Sequence, residues 1–140
     1  MNLQRVLLVI SIILLVNSCD NMKPKAFNSN EMIIRISEIG IDSIYLNEYI
    51  RILKDESESS VRLEPGVISI YPMFQKENPT EIRILEIYAN KEAYESHLQT
   101  PHFKIYKTST LKMVKSLKLI DMKAIDENTM DKIFKKLDPL

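Results

Sequence analysis

Glycine, cysteine and tryptophan are the residues that this chain has least of. Its 140 residues include two Gly, one Cys and no Trp. Two glycines cannot supply the glycine-rich loops whose backbone amides close around a phosphate, so the common nucleotide-binding loops are excluded. A single cysteine cannot form an internal disulfide bond, so the folded part must rely on its core and on contacts with a partner subunit.

The chain also lacks an excess of either charge. Its 19 basic and 19 acidic side chains give a formal net charge of +0, and they are interleaved along the sequence. A protein that binds double-stranded nucleic acid normally carries a basic excess or a basic stripe. We therefore expect no nucleic-acid partner, and the length of the chain suits one domain.

The N-terminus has the pattern of a bacterial export signal. Arg5 precedes an apolar run over residues 6–16, which is shorter than the roughly 20 apolar residues that span a bilayer. The run has the length of the apolar segment of a signal peptide. Ser18 and Cys19 follow it and resemble a lipobox. The sequence predicts a signal peptide at 1–18, a lipidated Cys19, and an exported lipoprotein held in the cell-envelope membrane. Secretion with a free Cys19 is the alternative.

Beyond a polar tether at 19–31, apolar periodicity predicts strands that alternate with helices. The predicted strands cover 32–39, 67–74, 82–88 and 116–125. Helices are expected to start at Asp42 or Ser43, at Asn90 and at Thr100, and a last amphipathic helix in 126–140 carries Met130, Ile133, Phe134 and Leu137 on one face. The order β-α-β-β-α-β over 32–125 is that of the ferredoxin-like α+β fold, with a four-stranded antiparallel sheet and both helices on one face.

Both histidines lie where the second helix is interrupted. Pro101 is favoured at a first helical position, so Thr100 and Pro101 predict a helix restart between His97 and His102. The buried stripe of the restarted helix is predicted to be Phe103, Tyr106, Thr110, Met113 and Leu117. Two histidines on separate helical segments, in a domain without cysteine, do not have a zinc-ligand spacing, so the sequence predicts no metal site.

The second strand is apolar on both faces. Ile68, Ile70 and Phe74 are expected on one face, and Val67, Tyr71 and Met73 on the other. Two helices cover one face of such a sheet, and the other face needs a second cover. The same sheet of another copy is the natural cover, so the sequence predicts a homodimer.

The segment from Glu64 to Phe103 resembles the antibiotic biosynthesis monooxygenase family, including its quinol monooxygenase-like members. The resembling stretches are EPGVISI at 64–70, EIY at 86–88 and AYESHLQTPHFK at 93–104. The resemblance implies a dimeric α+β barrel over 32–125 with a small flat aromatic, quinol-like or polyphenolic molecule bound between sheet and helices. It also implies a monooxygenase that uses molecular oxygen as co-substrate and needs no cofactor.

Within that frame, His97 is the first candidate for proton transfer, because histidine titrates near neutral pH. Glu86 shares a strand face with Ile82, Ile84 and Tyr88, so it is a candidate base or a partner of His97. The expected substrate-binding residues are His102 at the rim and the aromatic residues Phe74, Tyr88, Tyr94, Phe103 and Tyr106.

For Glu86, for His97 and for the domain as a whole, the sequence leaves other interpretations open. Glu86 can be part of a structural ion pair, and His97 can be a surface or capping histidine. The domain can be a non-catalytic lipoprotein that binds a small hydrophobic ligand, or an isomerase, which calls for a polar and basic pocket. Heme degradation is disfavoured, because the chain has no Trp and carries Lys107 where heme-degrading relatives have their iron ligand. Convergence of His97 and Glu86 on a closed apolar cavity would favour the oxygenase.

Overall fold

The computed structural model of the chain describes residues 28–126 and 128–136. The predicted signal peptide and Cys19 lie outside these ranges, so these two predictions stay untested. Within the described ranges, no helix has both the length and the hydropathy that crossing a membrane requires.

The element order is the predicted one, and the sheet is antiparallel. The elements are β1 (Ile33–Ile41), α1 (Leu46–Leu63), β2 (Val67–Phe74), β3 (Glu81–Tyr88), α2 (Lys91–His97), α3 (Pro101–Thr110), β4 (Val114–Met122) and α4 (Asn128–Lys135). The strands lie in the order β2-β3-β1-β4. The predicted ferredoxin-like α+β fold is therefore confirmed, and the C-terminal helix is a minor addition to it.

The predicted helix starts are confirmed by their caps. The Asp42 carboxylate accepts the backbone N–H of Ile44 and opens a 3₁₀ turn that leads into α1. The Asn90 side chain accepts the N–H of Ala93 at 2.8 Å, and Thr100 caps α3 with Pro101 at its first position. Such caps satisfy N–H groups that have no partner inside the helix.

The core lies between one face of the sheet, called here the helix face, and the buried side of α1. Tyr49 and Leu53 are the α1 residues at its centre. The buried apolar side chains are Ile39, Ile41, Tyr49, Leu53, Val67, Ile70, Ile82, Ile84, Tyr88 and Met113. Each large aliphatic side chain buried this way contributes about 1.5–3 kcal/mol to folding.

The predicted stripe of the restarted helix extends too far, although the burial predicted for Met113 is confirmed. Helix α3 ends at Thr110, Met113 is buried in the turn that follows, and Leu117 is a strand residue with 59% of its surface exposed. The backbone leaves the helix because residues from Val114 onward pair with β1, and Leu117 lies opposite Ile39. The strand ladder satisfies the same N–H and C=O groups that a longer helix would have used.

The predicted face assignment in β2 is also wrong at its start. The register with β3 shifts between Val67 and Ser69, so Ile68 is an extra residue in the strand. Val67 therefore lies on the helix face together with Ile70, and both are buried. Beyond the shift, the alternation follows the prediction.

The opposite face of the sheet, called here the bare face, is largely apolar. The helix residues of the core cluster, within the described part of the chain, pack against the other face. Ile36 lies between Leu85 and Ile120 on this face, and Tyr71 follows Leu85 on the next strand. Tyr71 and Met122 are 61% and 49% exposed. An apolar surface of this kind is typical of an interaction site.

Three tyrosines should make the fold less stable in alkaline solution. Burial raises the pKa of Tyr49 and Tyr88, and it raises that of Tyr106 to about 12. Above pH ~10 the unfolded tyrosines release protons that the folded ones retain, so the free energy of unfolding should fall as pH rises, by at most about 1.4 kcal/mol per pH unit for each tyrosine. Urea unfolding across this range measures the slope. Tyr106→Phe should reduce the slope, because it removes one of the three buried hydroxyl groups.

Candidate functional site

The two histidines converge on one carboxylate. His97 Nδ1 lies 3.0 Å and His102 Nε2 lies 2.6 Å from Glu64 Oε1. The sequence predicted no metal-ligand spacing for the two histidines, which lie on separate helical segments, yet the structure brings both rings to Glu64. The helix restart after Thr100 was predicted correctly, but the turn before it brings the two rings to a centroid distance of 6.5 Å. Glu64, which the sequence analysis did not single out as a site residue, lies between them.

His97 also faces a second carboxylate. Its Nε2 lies 3.7 Å from Glu56 Oε1, and its side chain is 3% exposed. The Ser60 hydroxyl donates to the same Glu56 oxygen at 2.8 Å, and the Ser57 hydroxyl is 3.4 Å from the other. Burial raises the pKa of Glu56, while the Ser60 hydrogen bond and His97 act in the opposite direction. The imidazole is thus fixed between Glu56 and Glu64.

The position of Glu56 in the periodic pattern of α1 indicated that it is buried, and the sequence analysis missed this indication. The buried stripe of α1 begins with Tyr49 and Leu53 and continues at helical spacing through Glu56 and Ser60. The Glu and Ser residues here look like the fading end of a solvated helix, yet they occupy buried positions. Polar residues that continue an apolar stripe indicate a buried polar cluster, because each must find a partner inside.

Glu86 belongs to a second cluster on the helix face. The Tyr88 hydroxyl donates to Glu86 Oε2 at 2.9 Å, and the Ser37 hydroxyl donates to Oε1. The carboxylate is half-buried, and no hydrogen bond joins it to His97 within 28–126 and 128–136. The predicted partnership of Glu86 with His97 is therefore not seen: Nδ1 of His97 contacts Glu64 at 3.0 Å, and its Nε2 faces Glu56 at 3.7 Å.

Aromatic rings connect the two clusters. The ring of His97 lies 5.4 Å from that of Tyr88 and 4.7 Å from that of Phe103. Tyr88 in turn lies 5.3 Å from Tyr94, whose ring has the Arg35 guanidinium 4.8 Å above it. Packing at these distances fixes ring orientation and adds about 0.5–1.5 kcal/mol for each aromatic pair.

Of the two remaining predicted aromatic residues, Tyr106 belongs to this group of rings and Phe74 does not. The Tyr106 hydroxyl pairs with that of Tyr49 at 2.7 Å, and its ring lies 6.3 Å from Phe103. Phe74 is 52% exposed at the end of β2, four residues beyond the partner of Glu86. The structure thus brings together all the predicted substrate-binding residues except Phe74.

The groove beside the histidine cluster differs from the closed apolar cavity that would favour the oxygenase most directly. This groove of about 330 Å³ runs between α1 and α3, and His102 and Glu56 lie in its wall. Its other lining residues are largely polar and include Glu48, Arg51, Asp55 and Ser59. On the helix face of β4, Leu117 and Leu119 are 59% and 50% exposed and form an apolar surface. Leu119 pairs with Ser37, next to Glu86.

Gly66 allows α2 to approach the sheet closely enough to position His97. Its carbonyl accepts the N–H of Ala89 at 2.8 Å, and a Cβ added to it would clash with the Ala93 methyl group. We expect Gly66→Ala to lower the free energy of unfolding by about 1–3 kcal/mol, the usual cost of overpacking. Urea unfolding would measure it, and the double variant with Ala93→Gly, which removes the clash, should recover part of the loss.

Comparisons with known proteins agree with this architecture. No curated protein matches the chain, but the family model for antibiotic biosynthesis monooxygenase matches residues 32–108. A crystal structure from Bacteroides thetaiotaomicron, of a protein named for that family, is 48% identical over 71% of this chain and 94% of its own, with a TM-score of 0.70. A protein from Lactobacillus acidophilus, named as a monooxygenase, is 31% identical over 65% of this chain and 43% of its own, with a TM-score of 0.64.

A third structure, from Nitrosomonas europaea, shares the fold at 16% identity, covering 69% of this chain and 93% of its own with a TM-score of 0.65. At that identity the likeness concerns the fold alone. The segment that the family model matches is more than half of the 140 residues, and it contains Glu64, Glu86 and His97. The chain belongs to the antibiotic biosynthesis monooxygenase family.

Proposed function

We propose that this protein is a monooxygenase that oxidises a quinol-like or polyphenolic aromatic with molecular oxygen and without an organic cofactor. The observation that carries the proposal is Glu86, a half-buried carboxylate ordered by the hydroxyls of Ser37 and Tyr88 on the helix face. Family membership and the likeness to proteins named as monooxygenases support the reaction class.

The substrate ring lies over β4, against Leu117 and Leu119, with a phenol hydroxyl directed at Glu86. Glu86 accepts the phenol proton, which makes the ring electron-rich enough to transfer an electron to oxygen. Arg35 lies opposite Glu86 in the register of β1 and β3, and its positive charge favours the phenolate. His97 is too deeply buried to touch the substrate, so we assign it the positioning of Tyr88 through ring packing.

The overall reaction balances without an external reductant. A quinol and one molecule of oxygen give a hydroxyquinone and one water. One oxygen atom enters the ring and the other leaves as water, and the quinol supplies all the electrons. The protein therefore has to supply only a base, a positive charge and an apolar surface.

Oxygen uptake with a panel of hydroquinones and catechols tests the proposal. We expect uptake above the spontaneous rate for at least one compound, and a hydroxyquinone that carries isotopic label from labelled oxygen. Saturable binding of these compounds without uptake would instead favour the alternative, a lipoprotein that binds a small hydrophobic ligand.

We also propose that the protein acts as a homodimer joined through the bare face. Tyr71, Met73 and Met122 are 61%, 40% and 49% exposed on that face. A twofold contact of two such faces would bury them in the way a dimeric α+β barrel requires. Sedimentation analysis should give twice the chain mass, and Tyr71→Glu should shift the equilibrium to monomer.

Membrane attachment through Cys19 completes the proposal, and its support is the sequence pattern of residues 5–19. The lipidated protein would be exported and would face a lipid phase in which quinols dissolve. Labelling cells with a fatty acid should mark the wild-type chain and leave Cys19→Ser unlabelled.

A further inference from the structure

The proposed oxidation gives no role to the Glu64 carboxylate or to the ring nitrogens of His97 and His102, which form one cluster. Two imidazole nitrogens and one carboxylate oxygen, offered by residues from the end of α1, α2 and α3, lie within 4.8 Å of one another. Two histidines with one carboxylate form a recurring ligand set for divalent transition-metal ions, which prefer imidazole to water or carboxylate alone.

We propose that Glu64 Oε1, His97 Nδ1 and His102 Nε2 form a binding site for a divalent transition-metal ion. The donor atoms are already directed at one another, since the two nitrogens lie 3.0 and 2.6 Å from the shared oxygen. Bonds of about 2.0–2.1 Å to a tetrahedral ion place donors roughly 3.3 Å apart, so small side-chain shifts suffice. Binding of the ion releases any proton that these donor atoms carry.

Glu56 makes this cluster more than an accidental meeting of three side chains. The histidines that bind metals almost always present their second ring nitrogen to a carboxylate or carbonyl, which fixes the ring and its tautomer. His97 presents Nε2 to Glu56 at 3.7 Å, and Ser60 holds that carboxylate at 2.8 Å. Glu56 thus stands where an orienting partner of a metal-bound His97 is expected.

The site also has an entry path and a free side. His102 keeps 19% of its side chain exposed and lies in the wall of the groove between α1 and α3. Three protein ligands leave a coordination position that a water molecule can occupy from this groove. A bound ion would tie the end of α1 to the junction of α2 and α3.

Calorimetric titration of the untagged, purified chain with Zn²⁺ tests the site. We expect one ion per chain, and we expect Mg²⁺ to give no comparable heat, because it prefers oxygen ligands. His102→Ala and Glu64→Gln should each weaken Zn²⁺ binding by roughly 100-fold or more, and Glu56→Gln by about 10–100-fold, the usual cost of losing an orienting partner. Glu48→Gln is the matched control, since Glu48 lines the same groove outside the cluster. This variant should bind Zn²⁺ as tightly as the wild type does.

A second measurement covers the case in which a variant fails to fold. Co²⁺ bound by imidazole and carboxylate in the wild-type protein should absorb visible light. Added Zn²⁺ should displace the Co²⁺ and abolish this absorption. Absence of stoichiometric Zn²⁺ binding and of this absorption would overturn the proposal, and so would an unchanged affinity in folded His102→Ala and Glu64→Gln. Neither readout depends on oxygen uptake, so the metal site and the monooxygenase can fail independently.

Discussion

Glu86→Gln should lower the rate constant for quinol oxidation by a factor of about 10²–10⁴, the usual contribution of a positioned general base. The amide cannot accept the phenol proton, while it remains similar in size and keeps an oxygen that can accept from Tyr88 or Ser37. Because the substitution leaves the proposed substrate contacts with Leu117 and Leu119 unchanged, we expect KM to change much less than kcat. Oxygen uptake under saturating quinol measures the effect.

The control for Glu86→Gln is a carboxylate elsewhere on the same strand. Glu81 lies at the start of β3 and pairs with Arg83 at 3.3 Å, so Glu81→Gln removes a charge without touching the proposed base. Its rate should stay within a factor of about two of the wild type. If Glu86→Gln were folded and equally active, Glu86 would not be the base, and a proton acceptor at His102 in the groove would be the next candidate.

Local signals in the sequence were sufficient to predict the fold. The caps at Asp42, Asn90 and Thr100 act within three residues, and alternation along the strands reports which face is buried. The predicted end of α3 was wrong, because the apolar stripe continues at helical spacing into residues that pair with β1. Strand pairing is a long-range contact that periodicity does not record.

Only part of the candidate site could be predicted in the same way. Residue type and family resemblance identified His97, His102, Glu86 and Tyr88. The partners did not follow, since Glu64 is 38 positions from His102 and Ser37 is 49 positions from Glu86. Which carboxylate meets which imidazole depends on the packing of α1 against α3, and no spacing along the chain encodes it.

His97→Ala should lower the free energy of unfolding by about 3–5 kcal/mol, the range found when a large buried ring is replaced by alanine. The substitution leaves the carboxylates of Glu56 and Glu64 without the imidazole that lies 3.7 and 3.0 Å from them. It also removes ring contacts with Tyr88 and Phe103 and leaves a cavity. Urea unfolding in the presence of a chelator measures this cost without any contribution from bound metal.

His102→Ala provides the comparison that separates burial from hydrogen bonding. His102 bonds the same Glu64 oxygen at 2.6 Å, but its side chain is 19% exposed, compared with 3% for His97. Water can replace its hydrogen bond, so we expect a loss of about 1 kcal/mol. Equal losses in the two variants would mean that the Glu64 bond alone stabilises the junction and that Glu56 contributes nothing. A larger loss for His97→Ala means that the buried imidazole, through its two carboxylates and its ring contacts, stabilises the packing around α2.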